Sequence, residues 1–329
     1  MNVFVFEYVT GGGFAGQELP AFLPDGETIW QALVKDVSAI QGVDVTTMRD
    51  DRLPRLNIKG VHIVTTNARS YENDYQRCLA LSDAVWPVAP EENEILELLN
   101  RGVLNAGKRL LGCQPQAVSI AASKLATAQQ LTQAAVPVIP TFISPSRMAT
   151  TGPVVAKPDD GAGCQETHYF QTQTAAAEWG VKHGGKGFVF QPYVTGEPLS
   201  LSLLCHQRGC ELLSINRQHI RMEHGLLHFS GVTVNAISDQ DHRYAALAMR
   251  VCSAMPGLWG YVGIDLIDTE IGSVVLEVNP RATVSHAGLS AVLGFNPAEK
   301  LLLLPDIEPA RDFSLSSLDS HTHVPRYTP

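Results

Sequence analysis

The sequence predicts two kinds of architecture in one chain: an α/β unit with a parallel sheet, followed by a mainly antiparallel α+β region. Over roughly the first hundred residues, strand-like apolar runs alternate with segments of helical periodicity, the order of a parallel sheet covered by helices. From Pro140 onward, strand-like runs follow one another with few helices between them, which is typical of antiparallel pairing. We therefore expect more than one domain.

The alternation in the first region begins with a buried strand at 3–9 and a helix at 27–40. Four apolar residues at helical spacing predict the buried face of that helix: Ile29, Leu33, Val37 and Ile40. The other elements predicted in this region are strands at 43–47 and 61–64 and helices at 71–82 and 91–104. Together these elements predict a compact α/β unit.

The second region opens with a short apolar run at 109–111 and a helix that starts near Ser123. Its predicted strands are 154–157, 188–194, 199–205, 211–220, 261–268 and 273–279. A helix at 239–255 precedes the last two strands, and a helical stretch at 285–303 follows them. The tail at 310–329 has no periodicity and is expected to be a loosely attached terminus.

Composition limits the classes of function. The chain has 329 residues, a net charge of −9, 45% hydrophobic residues and 17% charged residues. This balance predicts an ordered globular protein and argues against binding nucleic acid through a general basic surface. Six scattered cysteines lack metal-ligand spacing, and no signal peptide or membrane-spanning stretch is recognisable. We expect a cytoplasmic protein that binds neither nucleic acid nor membranes, with a homodimer as the default assembly.

A glycine-rich motif near the N-terminus suggests a dinucleotide site, but its context argues against one. Three glycines fit G-x-G-x-x-G: Gly11, Gly13 and Gly16. In a dinucleotide fold a helix begins inside this motif, whereas here Pro20 and Pro24 intervene and the predicted helix begins near Glu27. The acidic residue in the expected range, Asp36, lies within that helix. We favour a strand-to-helix loop over an NAD-linked oxidoreductase.

The most informative segment is "YVGIDLIDTEIGSVVLEVNPRATVSHAG". Because strand side chains alternate, Glu277 and Asn279 share one face of the strand at 273–279, and Asp265 lies across from them if the two strands form a hairpin. Two carboxylates and an amide oxygen form an all-oxygen site suited to Mg²⁺, and Arg281 adds a fixed cation beside it. In isolation, such residues would more often be a salt-bridged strand end.

Two further clusters have the chemistry of nucleotide binding. In "VVAKPDDGAGC", Lys157 ends an apolar strand beside a loop with two glycines, whose backbone N–H groups can cover phosphates. This loop is not a P-loop, because G-x-x-x-x-G-K-[ST] is absent from the chain. In "VFQPYVTGEPLSLSLL", Pro192 and Val194 lie in an extended linker that can offer backbone groups to a flat heterocycle, and Glu197 can hold ribose hydroxyls. Alone, each of these clusters is an ordinary turn or connection between strands.

In this order along the chain, the three clusters resemble the ATP-grasp superfamily, in which two α+β lobes hold Mg-ATP between them. The resemblance covers roughly residues 108–305. It implies an ATP-grasp fold preceded by a Rossmann-like pre-ATP-grasp domain. The expected domains are 1–107 (pre-ATP-grasp), 108–190 (small lobe), 191–309 (large lobe with the magnesium site) and 310–329 (the tail).

The resemblance also implies roles for individual residues. ATP phosphates would be contacted by Lys124, Lys157 and Arg217, and covered by a lid that includes Asp160, Gly161 and Gly163. The adenine hinge would be Gln191, Pro192, Tyr193 and Val194, with Glu197 on ribose. Magnesium, or Mn²⁺ as an alternative, would be bound by Asp265, Glu277 and Asn279, and Arg281 would stabilise the transferring phosphoryl group. The sequence departs from many members in having Gln191 instead of Glu at the hinge, and its lid is short.

The implied reaction is an ADP-forming ligation of a small-molecule acid and an amine. ATP phosphorylates a carboxylate, and the amine displaces phosphate from the acylphosphate. The segments "FVFEYVTGGG" and "EVNPRATVS" are most similar to the tyramine–L-glutamate ligases of methanofuran biosynthesis. That similarity implies that Gly11, Gly12 and Gly13 line the acceptor side of the cleft.

His286 is a candidate contact for a substrate carboxylate, although a satisfied loop histidine is the commoner role. A catalytically silent ATP-binding sensor with the same fold is the alternative function. The presence of Lys157, Arg281 and all three predicted metal ligands favours the enzyme.

Overall fold

The computed structural model of the protein describes residues 1–148, 152–161, 164–183 and 187–306. The predictions for Gly163 and for the 310–329 tail lie outside these residues. Among the described residues, no helix combines the length and the apolar character needed to cross a bilayer.

The N-terminal region forms a five-stranded parallel sheet, as the alternation of strands and helices predicts. Its strands are β1 (Asn2–Glu7), β2 (Asp44–Asp50), β3 (Val61–Thr66), β4 (Ala84–Val88) and β5 (Arg109–Leu110), in the spatial order β3-β2-β1-β4-β5. Its helices are α1 (Leu23–Ser38), α2 (Tyr71–Leu81) and α3 (Ile95–Asn105), with a 3₁₀ turn at Glu92–Glu94. The central strand β1 is apolar almost throughout because helices cover both faces of the sheet.

Strand β4 was not predicted from the sequence, although it pairs directly with β1. It is only five residues long and contains Pro87, which cannot donate a hydrogen bond and therefore argues against a central strand. Pro87 lies opposite Phe6, and the chain leaves the sheet two residues later.

The second region forms an eight-stranded antiparallel sheet. Its strands are β6 (Val154–Pro158), β7 (His168–Phe170), β8 (Phe188–Pro192), β9 (Glu197–His206), β10 (Gly209–Glu223), β11 (Leu226–Ile237), β12 (Gly260–Thr269) and β13 (Gly272–Asn279). Their order is β13-β12-β9-β10-β11-β7-β6-β8, and β7 joins β11 through one residue pair, Leu226 and His168. The strands β7 and β11 were not predicted.

Helices cover this sheet and connect it to the first one. They are α4 (Pro115–Ala122), α5 (Lys124–Gln133), α6 (Gln173–Lys182), α7 (Arg243–Ala254), α8 (His286–Leu293) and α9 (Pro297–Leu303), with a 3₁₀ turn at Pro145–Arg147. A single apolar core joins Trp30 and Leu33 of α1 to Leu289 of α8 and Leu301 of α9. The N-terminal sheet is therefore packed against the second sheet, and the two enclose a cleft.

Candidate active site

The predicted hairpin of carboxylates is present. Strands β12 and β13 pair antiparallel, with Asp265 directly opposite Glu277 and Asn279 opposite Gly263. The Asp265 carboxylate accepts hydrogen bonds from Gln218 Nε2 at 3.0 Å and from Asn279 Nδ2 at 3.3 Å. Burial, followed by the charge of Glu277, raises the pKa of Asp265 to about 7. The Asp265 carboxyl therefore lies in an environment that disfavours its charged form.

Two lysines face Glu277, Lys157 from β6 and Lys124 from the first residue of α5. The Nζ atom of Lys157 lies 3.6 Å from Glu277 Oε2, and that of Lys124 lies 3.9 Å from it. Burial alone would raise the pKa of Glu277, but the charges of the two lysines outweigh it and hold that pKa below its ordinary value. Burial lowers the pKa of Lys157. Both lysines are almost fully enclosed, so their charges act at close range in a poorly solvated space.

The loop after β6 docks on the N-terminus of α5. Ser123 caps that helix, and the Asp159 carboxylate accepts hydrogen bonds from Ser123 Oγ at 2.6 Å and from the Leu125 backbone N–H at 2.8 Å. Lys124 Nζ donates to the carbonyl of Gly161 at 2.5 Å. Asp160 is exposed and lines a small recess together with Lys124 and Glu277. Lys124 therefore connects the loop to the carboxylate cluster.

Arg281 is held by the N-terminal domain. Its Nη2 atom donates to Glu91 Oε2 at 2.9 Å, and 13% of its side chain and 7% of that of Glu91 are exposed. Burial would lower the pKa of Arg281, but Glu91 raises it above its ordinary value, so the guanidinium stays charged. Glu91 was not identified from the sequence. Its distance along the chain from Arg281 gives no signal that the two meet.

Two cavities meet at the carboxylates. The lobe cavity, about 310 Å³, lies between the β6–β8 strands and the larger part of the sheet, and the hinge residues Gln191, Pro192, Tyr193 and Val194 line it. The interdomain cavity, about 150 Å³, lies between the N-terminal sheet and β10–β13, and Asn279 and Arg281 line it. Five residues line both cavities: Cys164, Gln165, Gln218, Asp265 and Glu277.

The residues at this junction fit a hard divalent cation. They offer carboxylate and amide oxygens, which Mg²⁺ prefers. Within the described ranges, no group of three or more His, Cys, Asp or Glu residues forms a complete metal-binding cluster. This partial ligand set matches Mg²⁺, which usually takes one or two protein carboxylates and leaves its other positions to phosphate and water.

Two predicted nucleotide contacts lie elsewhere. Glu197 and Arg217 form an ion pair with each other, with about 39% and 45% of their side chains exposed, and neither is among the described residues that line the lobe cavity. Strand alternation explains these positions. Glu197 shares a face of β9 with Leu199, which is buried in the core under α7, and Arg217 pairs with Leu199 across the ladder. The neighbouring Gln218 faces the cavity instead.

The N-terminal glycines do not reach the cleft. A Cβ atom at Gly11 would lie 2.6 Å from the Glu7 carbonyl oxygen, and one at Gly13 would lie 2.4 Å from the Tyr8 ring. Gly12 has a φ of +94° and lies against Thr66. Of the described residues, those that line the interdomain cavity include Glu7 and Val9 but none of these three glycines. The glycines allow close packing of the loop, and contact between them and substrate stays a prediction.

His286 is also removed from the cleft. It is 1% exposed, lies edge-on to the rings of Trp86 and Tyr261, and has Nε2 at 3.3 Å from Asp36 Oδ2. Asp36 belongs to α1, so this contact packs the N-terminal domain onto α8. Within the described residues neither ring nitrogen has a hydrogen-bond partner, so His286 is a packed core histidine that is not fully satisfied, and its contact with substrate stays a prediction.

The comparisons with known proteins agree with this architecture. A family profile described as "ATP-grasp domain" matches residues 121–285, half of the chain, and one described as "pre ATP-grasp 3 domain" matches residues 43–118. The chain is 27% identical over 305 residues to the tyramine–L-glutamate ligase of Methanocaldococcus jannaschii, covering 92% of this chain and 88% of that protein. It is 26% identical over 296 residues to the protein of the same name from Methanocaldococcus fervens, covering 87% and 89%.

Solved structures share the fold. The crystal structure of an ATP-grasp superfamily protein from Archaeoglobus fulgidus superposes with a TM-score of 0.73 at 21% identity, covering 92% of this chain and 88% of that one. The fold and the resemblance predicted from the sequence are confirmed.

Proposed function

The chain belongs to the ATP-grasp family, and from this premise we propose that it is an ATP-dependent ligase that joins the γ-carboxylate of L-glutamate to the amine of tyramine. Two relatives named tyramine–L-glutamate ligase, each aligned over most of both chains, support the ligase class and its C–N bond chemistry. They also support the assignment to methanofuran biosynthesis.

The observation that carries the proposal is the meeting of two cavities at Asp265 and Glu277. A nucleotide in the lobe cavity would have its terminal phosphate at these carboxylates, and an acid in the interdomain cavity would reach the same point. ATP-dependent activation needs this arrangement, because the attacking carboxylate oxygen, the terminal phosphorus and the leaving oxygen of ADP must lie roughly on one line.

In the lobe cavity, we assign the adenine hinge to Gln191 through Val194 and the phosphate contacts to Lys124 and Lys157. Gln191 donates a hydrogen bond to Thr141 Oγ1 at 2.9 Å, which fixes its side-chain amide. Asp265, Glu277 and Asn279 would hold the divalent cation, Mg²⁺ or Mn²⁺. When bound, that cation neutralises phosphate charge.

The chain's own residues position the reactants and stabilise charge. The acid's carboxylate oxygen forms a bond to the terminal phosphorus while the bond to ADP breaks, and Lys157 and Arg281 stabilise the charge on the moving group. The amine nitrogen then attacks the acyl carbon, inorganic phosphate leaves with the C–O bonding electrons, and the nitrogen loses a proton. The mechanism needs no nucleophilic side chain.

The test is product formation from Mg-ATP, L-glutamate and tyramine, with phosphate release measured and the amide identified by mass spectrometry. We expect one ADP and one phosphate per amide, and formation of glutamyl hydroxamate when hydroxylamine replaces tyramine. Hydroxamate from a different acid would retain the mechanism and correct the substrate. Nucleotide binding without turnover across a broad panel of acids would contradict the ligase proposal and favour the ATP-binding sensor.

A further inference from the structure

One carboxylate in the interdomain cavity has no bonded partner within the described residues. Asp25 lies in the first turn of α1, is half-buried and lines this cavity. Within the described part of the chain, its carboxylate has neither a hydrogen-bond donor nor an ion-pair partner. Burial raises the pKa of Asp25, with Arg281 opposing the rise. The Asp25 carboxylate therefore faces the cavity at the first turn of α1, where a negative charge is favourable, with no bonded partner within the described residues.

The other charged groups nearby are already engaged. Glu7 accepts hydrogen bonds from the Val9 N–H and from the Thr10 N–H and hydroxyl, at 3.2, 2.7 and 2.7 Å, which occupies both of its oxygens. The charge of Arg281 is balanced by Glu91. Asp265 and Glu277 also line the cavity but are assigned to the divalent cation, so Asp25 is the acidic group left to receive an organic cation.

The residues that line the cavity with Asp25 restrict the chemical class of the cation. They are largely apolar and include Phe22, Ile29, Val88 and Phe229. A bare metal ion needs several oxygen ligands, which this wall does not offer, whereas an ammonium group on a small organic molecule needs one carboxylate and tolerates apolar neighbours.

We propose that Asp25 binds the non-reacting ammonium group of the acid substrate, so that the ligase selects an amino acid whose other carboxylate reaches Asp265 and Glu277. This inference rests on the proposed function and names the substrate feature that its cavity recognises. The reacting amine is a poor occupant for this position. It must attack as the free base, and a carboxylate partner would keep it protonated and away from the acyl carbon.

Paired ligands and paired variants test this. L-Glutamate and glutarate differ by the ammonium group, and their binding is measured by calorimetry with Mg²⁺ and a non-hydrolysable ATP analogue. The wild-type protein should prefer L-glutamate by about 10- to 100-fold, the range expected for a charge-assisted hydrogen bond. In Asp25→Asn and Asp25→Ser this preference should fall to about twofold or less, and thermal unfolding verifies that each variant is folded.

Glu72→Gln is the matched control, because Glu72 is an exposed carboxylate in the first turn of α2 and should leave the preference unchanged. A wild-type protein that does not distinguish the two acids, or an Asp25→Asn variant that keeps the full preference, would overturn the proposal.

Turnover separates the remaining outcomes. With tyramine and 2-phenylethylamine as paired amines, Asp25→Asn should leave the preference between the amines as it is in the wild type. Loss of that preference, with the glutamate preference retained, would assign Asp25 to the phenol and overturn the proposal. Failure of the wild type to form any amide would overturn the proposed function, while the binding ratio would still decide the role of Asp25.

Discussion

The β12–β13 hairpin and the N-terminal glycine loop both contain motif-like sequences, yet the structure uses them in opposite ways. In the hairpin, Asp265 and Glu277 lie opposite each other and face two cavities. In the loop, the rings of Phe6 and Tyr8 occupy the space beside Gly11 and Gly13, so a side chain at either glycine would collide with the chain itself.

The difference between the hairpin and the glycine loop indicates which features identify a ligand-binding site. In the hairpin, burial and the neighbouring charge of Glu277 raise the pKa of Asp265 to about 7. The negative charge of Asp265 is therefore only partly compensated by the protein. The loop has no such deficit, and its glycines serve close contact. A ligand site is recognised by uncompensated polar groups at a cavity, and a glycine pattern alone does not provide them.

The largest effect is expected at the hairpin. Glu277→Gln removes a proposed metal ligand and the partner of Lys157, so kcat should fall by at least about 1,000-fold with the fold intact. Steady-state phosphate release and circular dichroism measure the two quantities. Glu270→Gln, an exposed residue in the turn of the same hairpin, should leave kcat unchanged. Near-normal turnover in Glu277→Gln would remove this residue from the metal site.

The next effect is expected where the N-terminal domain meets the hairpin. Glu91→Gln leaves the buried Arg281 guanidinium without its counter-charge, which should reduce the free energy of unfolding by about 3 kcal/mol. It should also lower kcat about tenfold or more. Glu97→Gln, which breaks the pair between the half-buried Glu97 and the exposed Arg101, should cost less than about 1 kcal/mol. Equal losses in the two variants, measured by urea unfolding, would contradict a special role for Glu91.

Substitution in the glycine loop should reduce the stability of the protein and leave its catalytic activity unchanged. Gly11→Ala places a methyl group 2.6 Å from the Glu7 carbonyl oxygen, and overpacking of this kind costs about 2 kcal/mol. The KM for ATP should stay unchanged. Gly102→Ala is the control, since a Cβ atom there meets nothing within 4 Å and the residue lies in α3, where alanine is favoured. A stable Gly11→Ala variant with impaired substrate binding would return the loop to the site.

The smallest effect is expected for the ion pair that sequence reasoning placed on the nucleotide. Glu197→Gln should change the KM for ATP less than about twofold and the free energy of unfolding by less than about 1 kcal/mol, because the pair is largely exposed. Gln218→Ala, on the cavity face of β10, should raise the KM for ATP more. The reverse order would show that Glu197 does bind ribose.

The local sequence pattern predicts those features of the fold and site that depend on a single strand or helix. The alternation in β13 placed Glu277 and Asn279 together, and the strand–helix alternation predicted the parallel sheet. The same rule, applied to β9, would have placed Glu197 on the face of Leu199 and away from the nucleotide.

The other features of the site depend on tertiary packing. Asp25, Glu91 and Gln218 face the cleft only because distant segments pack around it, and nothing beside them in the sequence signals this. Strand β11 was missed because Ser230, Gly231 and Asn235 interrupt its apolar residues, and it is held mainly by pairing with β10. Such elements are specified by their partners more than by their own propensity.

We propose that ATP activates the acid's carboxylate at the junction of the two cavities. The direct measurement is turnover of L-glutamate labelled with ¹⁸O in its γ-carboxylate, with tyramine and Mg-ATP, followed by mass spectrometry of the released phosphate. An acylphosphate transfers one carboxylate oxygen to phosphate, so each phosphate formed should contain one ¹⁸O. Amide formation with unlabelled phosphate would show that the carboxylate is never phosphorylated and would contradict the account.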